Sequence, residues 1–369
     1  MATLHRRDWL KQSSLAFAGF SLTLPASLLA AEKTTRYGST GQIKLSANES
    51  PYGPSLLARK AMSEAIINSN RYPWDVTTQL REKIAAMYGF DKEFVVMGAG
   101  SSDILGVVTQ LASLQKGNAI SADPTFSTWA TAAERLGLQI IRVPLTADKR
   151  HDLRTMLSRL NSNTRLFYIC NPNNPTGTLL PSAEIRDVAL EASKQCLVLL
   201  DEAYLEYTSE SSLAGLVSEN KNIIVVKTFS KIYGLAGARI GYAIAHPDTI
   251  NRMTALQPWS NAGTSAVSLA AALASLDDET FLANSKKWNR EANDFTEKEL
   301  QSIGLSVIPS HTNFIYYSLG NFKGNWQEML KEKNIITGRI TEQNGQWTRT
   351  TIGTLEEMRQ FIQVAKAII

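Results

Sequence analysis

The chain has 369 residues, of which 44% are hydrophobic and 20% charged, and its formal net charge is +4. This length and apolar content are typical of a globular protein with a large core and two domains. Three basic residues against one acidic residue give residues 1–31 a charge of +2, so the rest of the chain is nearly neutral, which argues against nucleic acid as a partner. Four histidines and two cysteines argue against a metal site.

Residues 1–31 have the composition of an export signal. A basic start precedes a moderately apolar run and then small residues. The order RRDWLK at residues 6–11 resembles the twin-arginine type of signal. Because serine, threonine and proline interrupt the apolar run, we expect no stable membrane span. The signal-like composition predicts a periplasmic or otherwise exported protein. The alternative is a cytosolic extension on a cytoplasmic protein.

Residues 32–70 are predicted to form an N-terminal arm that contributes to a smaller domain. A polar linker leads into LSANESPYGP, an extended Asn/Pro/Gly segment that contains Tyr52, and a helix is predicted over residues 55–68. Composition alone favours a surface turn for Tyr52 and a buried turn for Tyr72, which follows the helix.

A strand, a glycine- and serine-rich loop and a helix are predicted in FVVMGAGSSDILG, residues 94–106. The loop contains Gly100, Ser101 and Ser102. Such a loop offers backbone N–H groups and the positive end of a helix dipole to an anion, although it could equally be a helix start without a ligand. A second strand, turn and helix follow, with Trp129 at the start of the helix.

Two apolar runs predict buried parallel strands with polar residues at their carboxyl ends. The first, LFYICNPNNPTG, ends in a loop that contains Asn174, and the second, CLVLLDEAY, ends in Asp201 and Tyr204. Cys170 and Cys196 lie in these runs. Buried free thiols are the favoured interpretation for them, and a disulfide remains open.

The stretch NIIVVKTFSKIYGLAGARIG, residues 222–241, combines a buried strand with a cluster of reactive groups. Ser230 and Arg239 suit a phosphate, because arginine offers a planar fork of donors and serine a short one. Lys231, if sheltered enough to lose its proton, can condense with an aldehyde to give a Schiff base. If this stretch is considered without the rest of the chain, the favoured interpretation of Lys231 is a solvated lysine beside a turn.

Arg339 and Arg349 lie in strand-like contexts near the end of the chain. Arginine binds carboxylates and phosphates through two parallel hydrogen bonds, so both are candidates for an acidic substrate group. Two exposed arginines are the alternative, which applies better to Arg339.

The motifs NPNNPTG, DEAY and TFSKxxGLAGxRIG, in this order and spacing, resemble the pyridoxal-phosphate aminotransferases of fold type I (class I/II). Within them the chain is most similar to the histidinol-phosphate aminotransferase group, from about Leu45 to the C-terminus. Pyridoxal 5′-phosphate is therefore the expected cofactor.

The resemblance implies a role for each candidate residue. Lys231 would hold the cofactor and act as general base and acid, Asp201 would keep the pyridine nitrogen protonated, and Tyr204 and Asn174 would contact the ring oxygen. Trp129 would stack on the ring. The phosphate would be bound by Gly100, Ser101, Ser102, Thr228, Ser230, Arg239 and, from the other subunit of a homodimer, Tyr72. Tyr52, Arg339 and Arg349 would face the substrate.

We therefore predict an α/β protein with a three-layer large domain, residues 71–270, built on a mainly parallel sheet, and a smaller α/β domain from residues 32–70 and 271–369. The predicted reaction is amino transfer between an amine or amino acid with an anionic group and a 2-oxo acid, most like that of histidinol-phosphate aminotransferase. Because histidine biosynthesis belongs to the cytosol, an exported aminotransferase for aromatic or other amino acids is an alternative. A lyase or decarboxylase with the same cofactor is another, and a cofactor-binding protein without catalysis is a third.

Overall fold

A computed structural model describes residues 41–261, 263–338 and 346–369. Residues 43–369 form one compact unit. The predicted export signal and Arg339 lie outside the described residues, and the predicted domain boundaries remain predictions.

A seven-stranded sheet forms the centre of the protein, in the order β2-β8-β7-β6-β5-β3-β4. β8 runs antiparallel to both β2 and β7, and the other pairs of strands in this sheet are parallel, which confirms the predicted mainly parallel arrangement. Its strands are β2 (Val95–Gly98), β3 (Gly117–Asp123), β4 (Leu138–Pro144), β5 (Thr164–Cys170), β6 (Leu197–Asp201), β7 (Ile223–Thr228) and β8 (Gly241–Ala245).

Both faces of this sheet are covered, because alternate residues of its strands enter different core clusters. On β7, Ile223 and Val225 belong to one cluster, whereas Ile224 and Val226 belong to the other. This is the pattern of a buried parallel strand between two helical layers, which confirms the three-layer prediction. The helices before and around the sheet are α1 (Leu56–Ala65), α2 (Trp74–Ala86), α3 (Ser101–Ser113), α4 (Thr128–Arg135), α5 (Leu153–Ser158), α6 (Ser182–Ala192), α7 (Pro247–Thr254) and α8 (Ala266–Ser275).

The remaining strands and helices surround a third core cluster. Three antiparallel strands are ordered β12-β10-β9, and a short parallel pair joins β1 to β11. These elements are β1 (Ile43–Leu45), β9 (Ser306–Ile308), β10 (Phe314–Ser318), β11 (Ile335–Thr337), β12 (Trp347–Thr351), α9 (Glu279–Ser302), α10 (Trp326–Glu332) and α11 (Leu355–Ile368). Leu45 packs in this third cluster, whereas Ala58 of α1 packs in a cluster of the large sheet, so the N-terminal arm contributes to both cores.

A buried ion cluster holds the chain just after β6. The Lys227 ammonium lies 3.1 Å from Glu202 and 2.9 Å from Glu206, and the Leu213 N–H donates to Glu202 Oε1 at 2.9 Å. Burial opposes the charge, but the two carboxylates hold the pKa of Lys227 well above its usual range. Removal of the lysine or of the two glutamates would leave an uncompensated buried charge. The cluster therefore fixes the segment that follows Asp201.

Cys170 and Cys196 are both buried and free. Within the described part of the chain, no helix combines the length and apolar character needed to cross a membrane.

Candidate active site

A cavity of about 360 Å³ lies where the carboxyl ends of β5, β6 and β7 meet. Loops at this edge of a parallel sheet commonly form the ligand site of an α/β protein. Nine of the residues singled out from the sequence line the cavity, namely Ser101, Ser102, Asn174, Asp201, Tyr204, Ser230, Lys231, Arg239 and Arg349.

The Asp201 carboxyl at the end of β6 is only 3% exposed. It accepts hydrogen bonds from the Tyr168 hydroxyl at 2.9 Å and from the Ala203 N–H at 3.2 Å. Burial raises the pKa of Asp201 to about 6, and these hydrogen bonds oppose the shift only in part. A cationic ring nitrogen placed against this carboxyl would therefore relieve a real electrostatic cost.

Tyr204 is held at its hydroxyl by two side-chain amides. Asn48 Nδ2 donates to Tyr204 Oη at 3.0 Å, and Asn174 Nδ2 donates to the same oxygen at 3.4 Å. Burial raises the pKa of the phenol, so Tyr204 is neutral and retains a proton to donate. Asn174 also accepts from Arg349 Nη1 at 2.6 Å through its side-chain oxygen.

Lys231 is the cation with the most strongly altered acidity among the lining residues. Its ammonium donates to the Asn48 carbonyl at 3.2 Å and lies 5.5 Å from the centre of the Tyr204 ring. Burial, and then the charge of Arg349, lower the pKa of Lys231 to about 8. The amine is thus much closer to deprotonation near neutral pH than an exposed lysine.

Arg239 and the start of α3 form one end of the cavity. Arg239 adopts a left-handed backbone with φ 54°, and its guanidinium donates to the carbonyls of Ala236 at 2.9 Å and Ala99 at 3.2 Å. Gly100 has a φ of 87°, which strains any other residue, and a Cβ there would also displace this guanidinium. Gly241 similarly allows β8 to approach the Ser101 amide, since an added Cβ would lie 2.5 Å from that nitrogen.

Thr228 lies just behind this end of the cavity and is not a lining residue. Its hydroxyl donates to Ser230 Oγ at 3.0 Å and accepts from the Ser230 N–H at 3.1 Å. Thr228 therefore orients the Ser230 hydroxyl, which does line the cavity.

Arg349 of β12 reaches the opposite side of the cavity. Nη1 donates to Asn174 Oδ1, as described above, and Nη2 donates to the Ser46 carbonyl at 3.2 Å. Its Nε is buried and has no partner among the described residues. A half-buried guanidinium with one unpartnered N–H is suited to an anionic group of a ligand.

Trp129, expected at the cavity, lies instead in the core beside α3. It is 2% exposed and packs against Tyr168, with ring centroids 4.8 Å apart. Phe126, three residues earlier in the loop before α4, lines the cavity. The sequence indicated an aromatic residue in the correct strand-turn-helix unit. The spacing alone did not distinguish Phe126 in the loop from Trp129 in the first turn of the helix.

Tyr52 and Tyr72 are not among the lining residues. Tyr52 is half-buried and packs against Trp288 of α9 with ring centroids 4.7 Å apart. Tyr72 is 69% exposed and contacts two other exposed rings, Trp74 and Trp259.

Sequence reasoning missed three polar residues of the site. Asn48 and Glu49 line the cavity from the segment after β1, and Tyr168 holds Asp201 from the neighbouring strand. Asn48 and Glu49 lie in the extended segment LSANESPYGP, which was singled out only for Tyr52. Tyr168 sits within an apolar run and gave no signal.

The residues present fit pyridoxal phosphate. A sheltered amine with a lowered pKa, a buried carboxyl with a raised pKa and a neutral phenol surround one cavity, and serines, an arginine and a helix start lie at its end. These are the groups that an aldehyde, a ring nitrogen, a ring oxygen and a phosphate require. Across the described ranges, no cluster of three or more His, Cys, Asp or Glu side chains could hold a metal ion.

Comparison with known proteins agrees with this chemistry. The family described as aminotransferase class I and II matches residues 40–364. The histidinol-phosphate aminotransferase of Moorella thermoacetica is 36% identical over 333 residues, which cover 89% of this chain and 85% of that protein. Histidinol-phosphate aminotransferase 1 of Dechloromonas aromatica is 35% identical over 324 residues, with 87% and 88% covered.

A solved structure shares the fold. The histidinol-phosphate aminotransferase of Sinorhizobium meliloti, in complex with pyridoxal-5′-phosphate, superposes with a TM-score of 0.81 at 24% identity and covers 89% of this chain and 92% of that one. The chain belongs to the class I and II aminotransferase family. The predictions of a fold-type-I aminotransferase and of pyridoxal phosphate as cofactor are confirmed.

Asp201→Asn in the cofactor-free protein should show the cost of burying the carboxylate. Because the pKa is raised to about 6, the folded state holds the proton more tightly than the unfolded state. The stability that the protonated Asp201 contributes is complete below the unfolded-state pKa of about 4 and is lost as the pH rises through about 6. Between pH 3 and pH 7, the difference in unfolding free energy should therefore shift by about 3 kcal/mol in favour of Asp201→Asn.

Urea unfolding at several pH values measures this shift. Asp152→Asn is a control of opposite sign, because hydrogen bonds from Thr155 lower the pKa of Asp152. His151, whose pKa burial lowers to about 4, titrates in the same range and contributes a common background to wild type and Asp201→Asn. A stability difference that does not vary with pH would contradict the burial argument.

Proposed function

We propose that this enzyme transfers the amino group of histidinol phosphate, or of another amine or amino acid with an anionic group, to a 2-oxo acid. The observation that carries the proposal is that Lys231, Asp201 and Arg349 face one cavity in a chain whose curated relatives are named histidinol-phosphate aminotransferases. The amine, the carboxyl and the guanidinium supply the three kinds of contact that such a reaction needs.

Bound pyridoxal phosphate would supply an aldehyde for the amino group and a ring that accepts the electrons of the broken bond at Cα. Asp201 would bind the ring nitrogen, because its buried carboxyl is stabilised by a neighbouring cation. Tyr204 and Asn174 would bind the ring oxygen. Gly100 would make room for the Arg239 side chain, and the phosphate would be bound by Ser101, Ser102, Ser230 and Arg239.

Phe126 would cover one face of the ring, the position that the sequence had indicated for Trp129. Phe126 lines the cavity, whereas Trp129 is packed in the core. An aromatic ring parallel to a pyridine provides apolar contact without competing hydrogen bonds.

Lys231 would move the proton at Cα of the substrate. With a pKa of about 8, about a tenth of the amine is neutral at pH 7, so it can both accept and return a proton. Arg349 would hold the anionic group of the substrate, with Tyr52 and Arg339 as the further substrate contacts. The contacts of Arg349 with Asn174 and Ser46 fix the direction in which its guanidinium faces.

The first experiment is an absorbance titration of the purified protein loaded with pyridoxal phosphate. Wild type should show visible absorbance that Lys231→Ala abolishes, and histidinol phosphate should convert it to the amine form of the cofactor. Aromatic and other amino acids, offered in parallel, test the wider substrate class. Release of carbon dioxide or of an amine without conversion of the cofactor would identify a decarboxylase or lyase and overturn amino transfer.

The protein also presents an aromatic cluster, Tyr72, Trp74 and Trp259, that suits a homodimer interface. The side chains are 69%, 41% and 51% exposed, and their ring centroids are 5.0–5.5 Å apart. Exposed apolar clusters of this kind mark association sites. In the proposed dimer, Tyr72 reaches the cofactor phosphate of the other subunit, which would explain why it does not line the cavity of its own chain.

Trp259→Arg should convert the dimer to a monomer and weaken cofactor binding by at least tenfold, since it places a charge in an apolar interface. Sedimentation velocity and cofactor titration measure the two effects. Leu114→Arg alters another exposed apolar residue, outside the cluster, and should leave both unchanged. A monomeric wild type that binds the cofactor fully would overturn the shared-site proposal.

Residues 1–31 would direct export through the twin-arginine route, which carries folded proteins and so suits a cofactor loaded before export. Replacement of Arg6 and Arg7 by lysine should retain the protein in the cytoplasm of a bacterial host, as measured by cell fractionation. The double substitution Lys33→Arg with Arg36→Lys preserves charge outside the arginine pair and should be exported normally. Wild type found wholly in the cytoplasm would refute export.

A further inference from the structure

Asn48 has a left-handed backbone at the wall of the active-site cavity. Its φ is 55° and its exposed fraction is 2%. This conformation is unfavourable for most side chains and is tolerated by asparagine better than by most. Such strain persists only where surrounding contacts stabilise it.

The backbone of Asn48 joins three distant parts of the chain. Its N–H donates to Thr351 Oγ1 at 2.8 Å, so β12 holds the residue from one side. Its carbonyl accepts from Asn313 Nδ2 at 3.0 Å and from Lys231 Nζ at 3.2 Å. The strained conformation thus places a carbonyl dipole directly on the reactive amine.

The side chain of Asn48 acts on Tyr204. Oδ1 accepts from Thr351 Oγ1 at 3.2 Å, which orients the amide so that Nδ2 donates to Tyr204 Oη at 3.0 Å. Asn174 Nδ2 donates to the same oxygen at 3.4 Å. A phenol oxygen accepts at most two hydrogen bonds, so the Tyr204 proton is left to point away from both amides.

We propose that Asn48 is a positioning residue of the amino-transfer reaction, which holds the Tyr204 hydroxyl as a donor toward the cavity and the Lys231 amine beside it. The inference rests on the proposed function, because the Tyr204 proton would be directed at the cofactor ring oxygen. It assigns the segment after β1 a part in the reaction that is exerted through Tyr204 and Lys231. Without the amide, the Tyr204 hydroxyl is free to rotate its proton away from the ring oxygen, which weakens the donation to the ring.

A second left-handed asparagine provides the comparison. Asn334 has φ 61° and is exposed, and its carbonyl accepts from the Ile43 N–H at 2.8 Å. It shares the backbone strain of Asn48 but not the contacts with Tyr204 and Lys231. Substitutions at Asn334 therefore control for effects of backbone conformation alone.

Two variants separate the functions of Asn48. Asn48→Gly removes the amide but keeps the backbone conformation, because glycine adopts positive φ without strain. Asn48→Asp keeps the shape but replaces the donor by a carboxylate, which accepts from Tyr204 and favours a charged amine. Asn334→Gly and Asn334→Asp are the matched controls.

The first measurement uses the cofactor-free protein, in which acetic anhydride labels Lys231 at a rate that follows its neutral fraction, read by mass spectrometry. The wild-type midpoint should lie near pH 8, in accord with the lowered pKa of Lys231. Asn48→Asp should raise the midpoint by about one pH unit, and Asn334→Asp should leave it unchanged. An unchanged midpoint in Asn48→Asp would overturn the proposed contact with the amine.

The second measurement is a pH titration of the visible absorbance of the loaded enzyme. Asn48→Gly should raise the midpoint, because a Tyr204 that no longer donates to the ring oxygen leaves the protonated chromophore favoured, while Asn334→Gly should titrate as wild type. Identical titrations for Asn48→Gly and wild type would refute the positioning of Tyr204. If loaded wild type develops no visible absorbance, the proposed function fails, and the labelling measurement alone decides the role of Asn48.

Discussion

The burial of the Asp201 carboxyl is the constraint on which the site depends. A carboxylate at the end of a central strand must be compensated, because an unpaired buried charge is costly. Tyr168 and the Ala203 N–H compensate it only in part, and the pKa of Asp201 remains raised, at about 6. The fold therefore maintains an electrostatic demand that a cationic ring nitrogen would meet, and this ties the central sheet to its cofactor.

The other groups of the site are brought to Asp201 by contacts between distant parts of the chain. Asn48 and Thr351 are separated by 303 residues, and Asn174 and Arg349 by 175. The strand ends of the large sheet and the loops after them supply Asp201, Tyr204 and Lys231, whereas β12 supplies Arg349. Because of these non-local contacts, the cavity is complete only when both sheets are in place.

The strand-end residues of the large sheet could be predicted from sequence, because apolar runs identify buried parallel strands and parallel strands present their carboxyl ends together. Asp201, Asn174 and Lys231 follow such strands, and all three line the cavity. Trp129 and Phe126 differ by less than one helical turn, so only the position of the helix start decides which faces the cavity. Asn48 was missed because a positive φ is set by tertiary contacts and leaves little trace in the sequence.

The segment between β7 and β8 begins and ends at the same rung of the sheet. Thr228 and Gly241 are register partners, and the Phe229 N–H donates to the Ile240 carbonyl at 3.2 Å. Ser230, Lys231 and Arg239, which would bind the cofactor, are therefore carried on one loop that is anchored at both ends to the large sheet. Substitution of Arg349 in β12 would therefore change a substrate contact while the chain that carries these three residues stays anchored at both ends to the large sheet.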